Sequence, residues 1–234
     1  MKRILLYPLL ALIIFACNKE KKECPGAIAK TFDFTGFTKV NLGHANTVAI
    51  TKGSAYSVKA TGCADDLADL AMKIEPGKIL DITFRNSKNN RNRIDFVITM
   101  PQFVGVTLSG AAKAAINGFE GQPTVMRTIL SGASECVVSG AGINVAVDLS
   151  GASTLTVNGA TESLYGNISG ASLLEAYGLP AAEVDISVSG NSKAQVTPID
   201  KIFAESSGNS RVYYKGNPPV KNFVTSGNGK IIQE

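Results

Sequence analysis

In one register, Ser-Gly dipeptides fall at residues 109, 131, 150, 169, 189, 207 and 226, at intervals of 22, 19, 19, 20, 18 and 19. Seven returns at nearly one period define a repeat architecture, in which a single unit cannot bury its apolar face alone. Within LSGASTLTVNG (149–159), apolar Leu155 and Val157 alternate with polar Thr154, Thr156 and Asn158. Period two is the signature of a strand with one face toward a core.

The other units keep this register. Leu108, Leu130, Leu149, Ile168, Val188, Ser206 and Thr225 precede the dipeptide. Ala114, Cys136, Leu155, Leu174, Ala194, Val212 and Ile231 form the first file after it, and Ile116, Val138, Val157, Ala176, Val196, Tyr214 and Gln233 the second. A further strand in each unit, such as NVAVDL (144–149), SLYGNI (163–168) or EVDISV (183–188), leads into the next corner. Stacked at about 4.8 Å, each unit pairs its backbone with its neighbours, and the inward files merge into one core. The expected fold is therefore all-β: a right-handed parallel β-helix, or β-solenoid, with one turn of chain per repeat. At the corner, Gly is followed by Ala or Asn, and then by Ser134, Ser153, Ser172, Ser192 and Ser210 in five of the units. Small residues let turns stack, and hydroxyls and amides in file can hydrogen-bond along the column. The corner thus reads as architecture rather than as a hydroxyl array for a ligand.

Residues 32–105 repeat less cleanly. LGHANTVAITKG (42–53) matches the unit spacing, with His44 in the place of the corner Gly. SVKATG (57–62), KILDIT (78–83) and DFVITM (95–100) alternate as strands, while CADDLADLAM (63–72) reads as a helix with Asp65 and Asp66 near its N-terminus. One solenoid domain over 32–234 is expected, with irregular rungs (32–105) that begin and cap the regular ~19-residue repeats of 106–234. Toward its end, Ser206, Thr225 and Gln233 enter the inward files, and Asn217-Pro218-Pro219 is expected to break the last rung.

The domain is preceded by Lys2-Arg3 and a twelve-residue apolar run, ILLYPLLALIIF (4–15), ending in Ala16-Cys17. The run is short for a bilayer span and suits a secretory leader. Ala16-Cys17 resembles the lipobox of bacterial lipoproteins, in a relaxed form similar to that of Bacteroidetes. That resemblance implies cleavage after residue 16 and acylation of Cys17, and several acyl chains anchor stably. Residues 17–31, beginning CNKEKKECPG, read as a solvated tether. The net charge of +4 falls to +2 without Lys2 and Arg3, too little to specify a partner. In an exported protein Cys24 and Cys63 are a candidate disulfide. Cys136, whose repeat-mates are Leu and Ala, reads as a small buried hydrophobe.

Catalytic signatures are sparse. His44 is the sole His, so a Ser-His-Asp triad has one candidate base with no nucleophile placed beside it, and clustered zinc ligands are lacking. Asp148 and Glu205 share an outward column with Asn167 and Ser187 but are not on adjacent rungs, which argues against a calcium site. The expectation is no enzyme, no metal and no cofactor. The candidate ligand-binding segment is RNSKNNRNR (85–93), with Arg85, Lys88, Arg91 and Arg93. Such a basic loop suits an anionic polymer, and the lack of interleaved aromatics argues against nucleic acid. Tyr165, Tyr177 and Tyr213 point outward but in different columns.

The LSGAS and VSGNS turns, the early KIEPGKILDITF and the MPQF leading into VTLSG together resemble the family called "putative auto-transporter adhesin, head GIN domain", over roughly residues 32–220. These are exported or lipid-anchored bacterial proteins, common in Bacteroidetes. The resemblance implies a pectin-lyase-like β-helix without that fold's catalytic residues. The expected function is a non-catalytic, lipid-anchored module for surface adhesion or glycan binding, held on the outer membrane at the cell surface or periplasmic face. Its expected partners are the membrane, through the anchor, and a glycan or other envelope polymer. The alternatives are a scaffolding periplasmic lipoprotein and, less favoured, an enzyme acting on polysaccharide.

Overall fold

The structure, a computed structural model, describes Cys24, residues 26–88 and residues 90–234. The leader and Cys17 lie outside the described residues. The chain forms β1 (Ala27–Phe32), β2 (Lys39–Leu42), β3 (Thr47–Lys52), β4 (Ser57–Cys63), α1 (Ala64–Ala68), β5 (Leu70–Glu75), β6 (Ile79–Phe84), β7 (Asp95–Met100), β8 (Gly105–Leu108) and β9 (Lys113–Asn117). It continues through β10 (Val125–Leu130), β11 (Glu135–Ser139), β12 (Asn144–Leu149), β13 (Thr154–Asn158), β14 (Thr161–Ile168), β15 (Leu173–Val188), β16 (Lys193–Ser206), β17 (Arg211–Tyr214), β18 (Val220–Thr225) and β19 (Lys230–Gln233).

From residue 105 onward the fold is a β-solenoid with two parallel stacks. Strands before each corner stack as β8, β10, β12, β14, the second half of β15, the second half of β16, and β18. Strands after the corner stack as β9, β11, β13, the first halves of β15 and β16, β17 and β19. Like residues lie over like: Leu108 pairs with Leu130, Leu130 with Leu149, and Leu149 with Ile168. The inward files are dry, with Leu130, Cys136, Leu155, Ile168, Leu174 and Val196 fully buried. Each buried aliphatic side chain contributes about 1.5–3 kcal/mol.

The corners form one column. Gly110, Gly132, Gly151, Gly170, Gly190, Gly208 and Gly227 all have φ between 63° and 77°. The amide after each Gly donates to the carbonyl of the corresponding residue one rung back: Ala152 to Gly132, Ala171 to Gly151 and Asn191 to Gly170, each at 2.7 Å. Gly is required here twice over. The left-handed backbone disfavours other residues, and a Cβ on Gly151 would come 2.4 Å from the Gly132 carbonyl oxygen. His44 occupies the foot of this column with φ 66°, and its carbonyl accepts from Ala111. The second Ser of each corner points inward: Ser134, Ser153, Ser172, Ser192 and Ser210 are buried, bonding one another and corner carbonyls. The hydroxyl array faces the core, not a ligand.

The first rungs are out of chain order. β2 and β3 form a rung that lies between two others, with β6 and β7 on one side and β8 and β9 on the other. The chain makes its first rung, passes below it, then crosses to continue above. Antiparallel strands close the lower end: β5 on β6, and β4 on β7 with β1 outside β4. This covers the edges that a bare solenoid would present for further pairing.

Four local expectations change. The helix spans only Ala64–Ala68, because Leu70, Met72 and Ile74 alternate as β5 and pair with β6 through a turn at residues 76–78. Ala27–Phe32 is a strand, five residues of which the sequence reading assigns to the tether. Residues 217–219 do not break the stack, since β18 and β19 add a further registered rung. Ser206 is buried and hydrogen-bonded to Ser210, so the polar taper starts inside the core. Cys24 and Cys63 are joined by a disulfide, with Cα atoms 5.6 Å apart, fastening the segment before β1 to the end of β4.

Candidate functional site

The basic loop 85–94 is the enlarged corner of the lowest rung, linking β6 in one stack to β7 in the other, directly below the His44 corner. Of its four cations only Arg91 is turned inward. Arg91 is nearly buried, forms an ion pair with Asp69 and lies with its guanidinium carbon 3.9 Å from the Phe84 ring centroid. Lys88 reaches Asp69 at 3.8 Å, Asn86 also donates to it, and Arg93 pairs with Asp95 at 2.9 Å. Asp66 in α1 accepts from the Asn92 amide. Burial alone would raise the Asp69 carboxyl, but the bonds from Asn86 and Arg91 and the charges of Arg91 and Lys88 together hold it below its ordinary value of 3.8. The loop is thus a clasp that holds α1 to the capped end. His44 packs edge-on against Phe84 at 5.0 Å, while Asn46, in the column of the buried serines, accepts from the Ile94 amide. Arg85 and Lys88 remain exposed, whereas Arg91 is a structural group.

The sequence reading missed a second basic feature. The residue four places after each corner Ser begins the post-corner strand and points outward. In the last three rungs it is Lys193, Arg211 and Lys230, paired in register as Lys193 with Arg211 and Arg211 with Lys230. Three cations therefore sit in file on adjacent strands, about 4.8 Å apart. Three other outward cations have anions on neighbouring rungs: Lys113 with Glu135, Arg127 with Asp148, and Lys201 with Glu183. Among the described residues, none of the three makes an ion pair.

Beside this file lie two tyrosines that looked scattered. Tyr213 lies one column over, with the Lys193 ammonium 4.8 Å from its ring centroid. Tyr177 lies on the same face, with Lys215 at 4.2 Å from its ring and its hydroxyl donating to Glu234 at 2.7 Å. Burial, helped by Glu234, pushes the Tyr177 phenol up to about 12. Of the face's carboxylates, Glu175 accepts from Thr156 at 2.9 Å, and Glu234 is held by Tyr177. Tyr165 belongs to the opposite stack. The signal was present in the sequence, because aligning on Ser-Gly places the three cations in one column. Following only the apolar columns passes over it.

The remaining candidates carry little chemistry. Asp148 is held by Arg127 and Asn167, and Glu205 by Ser187. Burial pushes the Cys136 thiol up to about 12, which keeps it protonated at neutral pH. Among the described residues, no group of three or more His, Cys, Asp or Glu side chains is placed to hold a metal ion, and no helix is long and apolar enough to cross a membrane.

Solved structures share the architecture. A "putative adhesin" from Bacteroides fragilis aligns with TM-score 0.75 at 19% identity, over 90% of this chain and 98% of its own. One from Parabacteroides merdae aligns with TM-score 0.65 at 16% identity, over 90% and 97%. A "putative lipid binding protein" from Parabacteroides distasonis aligns with TM-score 0.68 at 13% identity, again over 90% and 97%. At these identities the likeness speaks to the fold. No curated protein matches. Residues 36–218 match the family described as "Putative auto-transporter adhesin, head GIN domain", and the chain belongs to that family.

Proposed function

We propose that the protein is a non-catalytic adhesion module of the bacterial cell envelope, anchored through acylated Cys17 and binding a glycan or another envelope polymer. The observation that carries this reading is the register of the outward side chains. A rigid stack sets outward side chains in file at strand spacing, and in its last three rungs one file is all cationic (Lys193, Arg211, Lys230), which suits an extended polymer better than a small molecule. Membership of an adhesin family and the Ala16-Cys17 leader support it. The non-enzymatic part is supported by the outward carboxylates Asp148 and Glu205, both engaged by neighbouring side chains.

Glycan-array and cell-surface binding by the full chain, together with mass spectrometry of the mature N-terminus, tests the reading. It predicts retention on at least one glycan class and an acylated Cys17. Blank arrays and no cell binding would remove its support. One observation favours a periplasmic scaffold instead: Val220, Phe223 and Val224 on β18 are exposed, as a self-associating edge would require. Protease treatment of intact cells separates the two, since a scaffold inside the periplasm survives and a surface adhesin is cut.

A further inference from the structure

The file Lys193, Arg211, Lys230 is unfavourable for the folded chain by itself. Like charges opposite one another on adjacent strands destabilise a sheet, whereas Lys113, Arg127 and Lys201 each meet a carboxylate on the next rung. One cation of the file is held in place, since the Tyr213 ring lies under the Lys193 ammonium, and beside the file the Tyr177 ring lies under Lys215, a further positive charge on the same face. Two carboxylates share the face, but Glu175 turns to the Thr156 hydroxyl and Glu234 to that of Tyr177, and neither forms an ion pair with the file. The outcome is a cationic ladder of fixed direction, running along the solenoid axis with one charge per rung.

We infer that this face binds a linear acidic polysaccharide, laid along the stack so that successive carboxylate or sulfate groups meet successive rungs. The inference rests on the adhesion reading and specifies its ligand class and site. Charge complementarity names the occupant: a polymer with regularly spaced anions supplies along the ladder what the fold leaves out. Preordered charges lower the entropy lost on binding. Nucleic acid is the poorer match, because the two tyrosine ring faces are already occupied by ammonium groups and offer little stacking surface to bases. The loop 85–93 is the weaker site, since Arg91 and Arg93 are neutralised by Asp69 and Asp95.

The test measures binding of the full chain, solubilised in mild detergent, to polygalacturonate, heparin, neutral dextran and duplex DNA. Wild type binds polygalacturonate or heparin, and binding weakens as salt shortens the range of charge interactions to less than about 10 Å. The double variant Arg211→Glu, Lys230→Glu weakens it at least about tenfold, with a urea midpoint no lower than that of wild type, because both side chains are exposed and one like-charge contact becomes an opposite-charge one. Arg85→Ala in the loop leaves it unchanged. Equal binding to dextran, or DNA binding as tight as that of the acidic polysaccharides, overturns the ligand class. Full binding by the double variant overturns the site while leaving the adhesion reading standing. A wild-type chain that binds cells or neutral glycans but neither acidic polymer overturns the inference alone; one that binds nothing overturns both.

Discussion

The two ends of the stack are built differently. At the lower end the chain doubles back. β6 and β7 pass beneath a rung made earlier, β1, β4 and β5 cover the edges antiparallel, a disulfide fastens the segment before β1, and a ring of acidic and basic groups clasps α1 to the enlarged corner. At the upper end the rungs follow in sequence order, β18 is exposed along its length, and the cations stand in file without ion-pair partners among the described residues. The lower end resolves its charges internally; the upper end presents them. Stability devices and a binding surface are thus segregated along one axis, as expected when unsatisfied groups are tolerated only where a ligand meets them.

The largest effect should come from the lower end. Cys24→Ser opens a link closing a sequence separation of 39 residues, and chain entropy puts its contribution at up to about 4 kcal/mol. The urea midpoint should fall, and trypsin should first cut near β1. An unchanged midpoint would show that β1 holds without the bond. Next comes the corner column. Gly151→Ala meets both a left-handed φ of 74° and a carbonyl at 2.4 Å, and should cost on the order of 3 kcal/mol in urea unfolding. Gly77→Ala shares the positive φ, at 85°, but meets open space, so it should cost only about 1 kcal/mol. Equal losses would mean that stacking does not dictate the corner glycines.

The column of glycines was legible because identical backbone geometry forces an identical residue at each turn. The same logic placed His44 at the foot of the column. Rung order was not legible, because alternation reveals which face a strand buries but not which strand lies beside it, so β6 and β7 gave no sign of passing beneath β2 and β3. The overlong helix had a related cause. Asp65, Asp66 and Leu67 suit a helix, but Leu70, Met72 and Ile74 answer to β6, a partner that local sequence does not name. Arg91 looked like a surface charge because the acid that buries it, Asp69, lies 22 residues away in the sequence. The file Lys193, Arg211, Lys230 was readable in principle and was hidden by attention to apolar columns.

A smaller effect should separate the ends by pH. The Asp69 carboxyl is held below its ordinary value, so its stabilising contribution is complete above about pH 4 and disappears as pH falls through the lower folded value. Acid should loosen the clasp before the corner column, detectable as early exchange at the amides of Asn92 and Arg85, which donate to Asp66 and to the Asp69 carbonyl. Simultaneous loss of clasp and column would contradict that order. Smallest of all, Lys113→Ala removes an exposed pair with Glu135 and should change stability by less than about 1 kcal/mol.

Native-state hydrogen exchange at the corners tests the stacked column most directly. The amides of Ala111, Ala152, Ala171, Asn191 and Asn209 each donate to a carbonyl one rung back. They should exchange slowly and together, through global opening, while the Asn228 amide on the outermost rung frays sooner. Fast or independent exchange at Ala152 and Ala171 would show that the rungs are not locked corner over corner, and neither the column nor the cationic ladder it aligns would survive.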